Sequence, residues 1–232
     1  MKKTTQILTV LYIVLFISCS SDDPSPEIVP EPVSFPEIPN GDFESWKTKT
    51  QTIATGLEKT YYIPNEWTEN VFNLFTRFYS AEGFLNKYDY PTGDKSALQI
   101  NRSVPGGVES MNNGFIRFNY TTVPNKLTGT YRFTGSSLAN TGVVDTLIIA
   151  VRLSKAIDTI SPLDLGRMTY IKNFKQITIS KPTENFKDFE IDLSEYLDQE
   201  FDYATIQLIM KMGDSGFSPE YSSAIIDNLK FE

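Results

Sequence analysis

The chain has no histidine and a single cysteine among its 232 residues. The missing histidine excludes histidine-ligated metal sites, Ser-His-Asp and Cys-His catalysis, and histidine proton relays. One cysteine cannot form a disulfide within the chain. Basic residues are also few, 21 against 29 acidic. They form no cluster, which argues against a nucleic-acid partner and against electrostatic adhesion to anionic lipid. Helical periodicity is scarce as well: no long segment keeps a 3.6-residue apolar repeat with caps at both ends. Any enzyme built on this chain must work with carboxylates, Tyr, Lys, Ser or Thr.

What is present begins with an address. Met1-Lys2-Lys3 is followed by an apolar run from Ile7 to Ile17, then Ser18 and Cys19. The run is shorter than the roughly 20 residues a spanning helix needs. A basic start, a short apolar stretch and a small residue at the cut site make a secretory signal peptide over residues 1–18. The stretch "LFISC" resembles a bacterial lipoprotein signal, which implies that Cys19 becomes the first mature residue and carries lipid. The alternative is an ordinary signal peptide with an incidental cysteine. Buried acyl methylenes contribute about 0.8 kcal/mol each, so such a cysteine anchors a chain without spanning the membrane. "CSSDDP" places two acids just behind the anchor and resembles the surface-export signal of Bacteroidetes lipoproteins; a solvated charge pair in a linker is the plainer alternative. The expected location is the outer membrane, at the cell surface. Loss of Lys2 and Lys3 leaves 19 basic residues against 29 acidic, a net charge near −10.

Residues 19–37 form the lipidated cysteine and an acidic, proline-rich linker. Pro24, Pro26, Pro30, Pro32, Pro36 and Pro39 fall within sixteen residues. Such a segment favours extended polyproline II, about 3.1 Å per residue, and acts as a semi-rigid stalk. Residues 38–232 are long enough for one domain with its own core.

The domain reads as all-β. Strand-like runs are "GFIRFNY" (114–120), "LTGTYRFTG" (127–135), "VVDTLIIAVRL" (143–153), "FKQITIS" (174–180), "FKDFEIDL" (186–193), "YATIQLIMKM" (203–212) and "SAIIDNLKF" (223–231). In "YATIQLIMKM", Ala204, Ile206, Leu208, Met210 and Met212 form a packed face. Tyr203, Thr205, Gln207 and Lys211 form a wetter one. "VVDTLIIAVRL" is apolar on both faces and reads as a central strand. "PNEWTENVFNLF" is the best helix candidate, and "LSEYLDQE" allows one short turn. Many strands at regular spacing with turn signals predict a two-sheet β-sandwich.

The opening "PNGDFESW" (39–46) and closing "SSAIIDNLKFE" (222–232) together resemble galactose-binding-like β-jelly rolls, the fold of many carbohydrate-binding modules. There, an opening strand lies beside the closing one. "IPNEW" (63–67), "GDKSALQI" (93–100), "LTGTYRF" (127–133) and "VVDTLIIAV" (143–151) follow in an order similar to a Bacteroidetes group described as a carbohydrate metabolism domain. Glu66 departs from that group, which tends to have glycine there, and 155–172 follows none of its pattern. The resemblance implies a jelly-roll sandwich and a structural Ca²⁺ between the first and last strands, with Glu44 and Asp227 as side-chain ligands. Backbone carbonyls would have to complete the six to eight oxygens Ca²⁺ takes. The plainer alternative makes both residues strand-edge polar groups.

Sugars are held by aromatic faces flanked by planar polar side chains. "FYSAEGFLNKYDYPTGD" (78–94) reads as a long aromatic loop in which Tyr88 and Tyr90 are the expected exposed platforms. Phe217 and Tyr221 lie in a second loop, "GDSGFSPEYSS". Arg117, Asn119, Arg132, Tyr203 and Gln207 are expected on wetter strand faces. Trp46 and Trp67 read as core. The expected role is glycan capture in polysaccharide utilisation. The partners would be a polysaccharide or oligosaccharide, the membrane through the lipid anchor, and other outer-membrane glycan-uptake proteins. A glycoside hydrolase on the same scaffold is the alternative, since it needs only two carboxylates. Asp89, Asp94, Glu109, Asp145 and Asp214 are available, but their spacing singles out no pair. A structural or adhesive surface protein is the third reading.

Overall fold

The computed structural model describes residues 35, 37–52, 56–71, 85–101, 111–119, 122–135, 145–155, 175–211 and 222–232. Twelve strands are present among them: β1 Trp46–Thr52, β2 Glu58–Pro64, β3 Thr68–Val71, β4 Leu85–Asp89, β5 Ser96–Asn101, β6 Met111–Asn119, β7 Lys126–Thr134, β8 Thr146–Ser154, β9 Lys175–Ile179, β10 Lys187–Asp192, β11 Tyr203–Lys211 and β12 Ser223–Phe231. One five-stranded sheet runs β10-β7-β12-β5-β4, a second runs β3-β6-β11-β8-β9, and β1-β2 is a separate hairpin. All these pairings are antiparallel. The two-sheet sandwich read from the sequence is the fold found.

Period-two alternation explains the core. In β7, Leu127, Gly129 and Phe133 are buried while Thr130 and Arg132 are partly open. In β10, Phe189 and Ile191 are buried between exposed Asp188, Glu190 and Asp192. These residues join Leu98 and Ile100 of β5, and Ala224, Ile226 and Phe231 of β12. With them pack Leu147, Ile149 and Val151 of β8 and Ala204, Ile206 and Leu208 of β11, in a single cluster. Trp67 is buried against Phe43, ring centroids 5.2 Å apart. Trp46 packs at the cluster's margin and donates its indole N–H to Phe43 O at 2.6 Å and Ser96 Oγ at 2.9 Å.

Strand β8 is an interior strand, buried on both faces from Leu147 to Val151. The same holds for β11, which corrects its expected wetter face: Thr205 and Gln207 are buried. The cause is apolar neighbours on that side, where Ile209 pairs with Ile148 in a small second cluster. The helix expected over "PNEWTENVFNLF" does not form in its described part. Asn65 and Glu66 make a turn, Glu66 takes a φ of 66°, and Thr68–Val71 pairs with β6 instead. Pairing with β6, rather than any strong local preference, selects the strand. The short turn in "LSEYLDQE" is a 3-10 turn at Ser194–Tyr196. The long loop expected over 78–94 contains strand β4.

The two ends of the domain meet. Residues 39–42 form turns rather than the expected opening strand, with φ of 49° at Asn40 and 51° at Phe43. Leu229 N–H donates to Gly41 O at 2.9 Å. A Cβ on Gly41 would sit 2.4 Å from Leu229 O, so only glycine admits this approach. Opposite, β12 carries a bulge: Asp227 pairs with Thr130 and Lys230 with Thr128, so β12 has one residue more than β7 across this step. Asn228 takes that bulge in the left-handed region, at φ 54°.

Candidate functional site

The first sheet has one face in the core and one turned away from it. The outward positions of β7 are Thr128, Thr130, Arg132 and Thr134, alternating with buried Leu127, Gly129 and Phe133. Phe186, just before β10, shares the parity of Asp188 and Glu190 rather than that of buried Phe189 and Ile191. Tyr88 has the parity opposite to buried Leu85 in β4. An aromatic, an arginine and a second aromatic are thus brought onto one face from three strands.

They touch. The Arg132 guanidinium lies over the Tyr88 ring, 5.3 Å from its centroid, and over the Phe186 ring, 5.4 Å from its centroid. Its Nη2 also donates to the Tyr88 hydroxyl at 3.2 Å. Tyr90 meets Tyr88 edge-on at 5.6 Å and Phe186 at 5.6 Å. Each of these four side chains is half-buried, so the cluster is packed yet open to solvent. Cation–π attraction and aromatic packing fix its geometry.

A groove of about 710 Å³ includes Thr128, Thr130, Asp188, Glu190, Asn228 and Lys230 in its lining. Thr130 is two residues from Arg132, and Asp188 is two from Phe186, so cluster and groove occupy the same face. Lys126 bridges Glu190 at 3.0 Å and Glu232 at 3.2 Å near the far end.

Behind the cluster, the Tyr90 hydroxyl donates to Asp227 Oδ2 at 2.7 Å, and Asn228 N–H donates to Asp227 Oδ1 at 2.7 Å. Burial pushes the Asp227 carboxyl above the usual range, and the charges of Glu44 and Asp42 push the same way; the two hydrogen bonds oppose them. Burial and the same hydrogen bond push the Tyr90 phenol up. Lys87 pairs with Asp89 at 2.6 Å and lies over the Tyr62 ring at 5.9 Å.

Of the residues expected to bind sugar, the structure brings Tyr88, Tyr90 and Arg132 together. Asn119 is exposed and Tyr203 half-buried; both lie in the other sheet, as cross-strand partners. Gln207, also in that sheet, is buried and so does not offer the exposed side chain expected of it. The Arg117 side chain, Phe217, Tyr221 and Cys19 lie outside what is described. Phe186 is the residue sequence reading missed. Its signal is an aromatic on the otherwise acidic face of "FKDFEIDL".

The acids expected for hydrolysis are scattered in their roles. Asp89 is ion-paired, Asp94 is exposed beyond β4, and buried Asp145 accepts the Ser222 hydroxyl at 2.6 Å. Glu109 and Asp214 lie outside the described residues.

Glu44 and Asp227, the expected calcium ligands, do approach one another closely enough for their charges to interact. Glu44 accepts from Ser96 N–H at 3.2 Å and from its hydroxyl at 3.2 Å, while Asp227 holds the two donors just described. Among the described residues, no three carboxylates converge as a metal cluster. These two carboxylates hold N–H and O–H donors, and a shell of six to eight oxygens would take its remaining ligands from backbone carbonyls.

No protein-family model matches this chain, and no curated protein matches it. Among solved structures it is similar to a candidate glycoside hydrolase from Bacteroides thetaiotaomicron (TM-score 0.48, 16% identity, 82% of this chain and 80% of that one). It is also similar to carbohydrate-binding modules of the β-sandwich superfamily (0.44, 10%, 81% and 75%) and to a module that recognises mannan (0.39, 10%, 86% and 98%). Each score is below 0.5, so the functional reading rests on this chain's own side chains.

Proposed function

We propose that the outward face of the first sheet binds carbohydrate, and that the protein is a lipid-anchored, surface-displayed glycan-capture protein. The observation that carries the binding claim is the open Tyr88-Arg132-Phe186 stack, with Tyr90 at its edge. Aromatic surface held rigid beside planar donors suits the C–H faces and hydroxyls of sugar rings. The groove lined by Thr130, Asp188 and Asn228 supplies hydrogen-bonding groups along the same face for further sugar units. The anchor rests on "LFISCSSDDP": Cys19 lipidated, the acids as export label, the prolines as stalk.

Affinity electrophoresis through gels holding a panel of polysaccharides tests the binding claim. Retardation by at least one polymer, weakened about tenfold by Tyr88→Ala or Phe186→Ala, is expected; tenfold corresponds to about 1.4 kcal/mol. Unchanged migration in every gel would overturn it. Metabolic lipid labelling that persists in Cys19→Ser would overturn the anchor.

A further inference from the structure

Arg132 is placed as an anion receptor rather than as a structural ion-pair partner. The chain is acidic, and five of its described lysines are paired with acids: Lys87 with Asp89, Lys126 with Glu190, Lys155 with Glu200, Lys175 with Glu195 and Lys230 with Glu232. Arg132 has no carboxylate partner among the described residues. Its hydrogen bond to the Tyr88 hydroxyl engages one of five N–H donors. Two rings instead hold the guanidinium in place, which fixes its plane without satisfying its charge.

The surroundings give the open side a direction. Toward β10 and the bulge lie acids, with Asp227 across from Thr130 and Asp188 across from Thr130 on the other side. In the opposite direction along the sheet, beyond Ile225, the outward residues of β7, β12 and β5 are neutral and polar. Ser223 pairs with both Thr134 and Asn101, and Gln99 donates to Asn101 Oδ1 at 2.9 Å. A carboxylate is therefore directed to Arg132 and away from the groove end, where only hydroxyl faces of further sugar units fit, and it meets amides and hydroxyls at the other end.

We propose that the glycan bound by this face is acidic, a uronic-acid-containing polymer whose carboxylate is held by the Arg132 guanidinium while a sugar ring lies on Tyr88 or Phe186. This rests on the glycan-binding reading and narrows it. A planar carboxylate matches the guanidinium fork in a bidentate pair.

The test compares a polyuronate with the same polymer after its carboxyls are reduced to primary alcohols, using the purified full chain in isothermal titration and gel retardation. The polyuronate is expected to bind at least about tenfold more tightly than its reduced form, with Arg132→Gln removing that difference and Arg132→Lys restoring part of it. Added NaCl is expected to weaken the polyuronate complex and to leave binding of neutral polymers unchanged. Because reduction alters the ligand and not the protein, a variant that misfolds does not blur the result. Equal binding of the two forms, or binding of a sulfated polymer in preference to the polyuronate, would overturn the inference while leaving glycan capture standing. Binding of no polymer at all would overturn both.

Discussion

The hydroxyl of Tyr90 donates to Asp227 Oδ2 at 2.7 Å across 137 residues of sequence. This contact ties the residue following β4 to the bulge of β12, and so sets the position of the ring that edges Tyr88. Hydrogen bonds to charged groups contribute about 1.5–3 kcal/mol. Tyr90→Phe is expected to lower stability by about 1–2 kcal/mol in urea denaturation, because a buried carboxylate then loses its O–H donor. A loss below about 0.3 kcal/mol would show the contact to be idle.

Asp227 also gives stability a sign with pH. Its carboxyl is raised above the ordinary value in the folded protein, chiefly by burial. The folded state therefore holds that proton more tightly than the unfolded chain. The contribution is fully present below the ordinary Asp pKa of about 3.9 and is lost as pH rises through the raised value. Asp227→Asn removes this titration. Relative to the variant, the natural protein is expected to lose stability as pH climbs from about 3.5 toward 7, measured by denaturation at several pH values. A constant difference would contradict the assignment.

Glu66 occupies a position whose φ of 66° favours glycine. L residues are strained in this region by roughly 1 kcal/mol. Glu66→Gly is expected to stabilise by about 0.5 kcal/mol, after the extra freedom of the unfolded glycine is set against the relieved strain. A β-branched replacement, Glu66→Val, is expected to destabilise by more than 1 kcal/mol on the same principle. Thermal unfolding of the two variants decides it.

Gly41→Ala is expected to destabilise by about 1–3 kcal/mol, since its Cβ would meet a backbone oxygen that cannot rotate aside. Gly56, with open space around it, is the control for added bulk, although its own φ of 79° carries a separate strain. If Gly41→Ala unfolds at the natural temperature, the close approach is not what demands glycine there.

Calcium is expected to leave the melting temperature within about 1 °C, because Glu44 and Asp227 are engaged by protein donors. A site filled at a hundred times its dissociation constant would add about 2.7 kcal/mol. A rise of several degrees on adding calcium, reversed by chelation, would show that the two carboxylates rearrange into a shell.

The sandwich was legible because its interior strands obey period two or are apolar throughout: "VVDTLIIAVRL" and "FKDFEIDL" place their buried residues where alternation puts them. The edges were harder. Strand β3 is four residues long and sits behind a turn, so its polar, helix-compatible letters carried no strand signal. Strand β1, Trp46–Thr52, reads "WKTKTQT" and has little apolar content, because a separate hairpin buries little. The site was half legible. Tyr88, Tyr90 and Arg132 stand out by residue type, but their meeting depends on strand order, β7 beside β12 and β4 two places further on, which no local pattern encodes. Gln207 was misplaced for the complementary reason: whether an outward face is wet depends on what covers it.

The meeting of Gly41 with Leu229 has a mechanical consequence. Strand β12 is the middle strand of its sheet, with β7 and β5 on its flanks. Tension entering along the chain at Ile38 reaches that middle strand through the Gly41 carbonyl before it can reach an edge. There β12 is laddered to β7, Lys230 to Thr128 and Phe231 to Leu127, so a load on the leading segment enters an interior ladder of the sheet that carries Tyr88 and Arg132 rather than an edge where peeling starts.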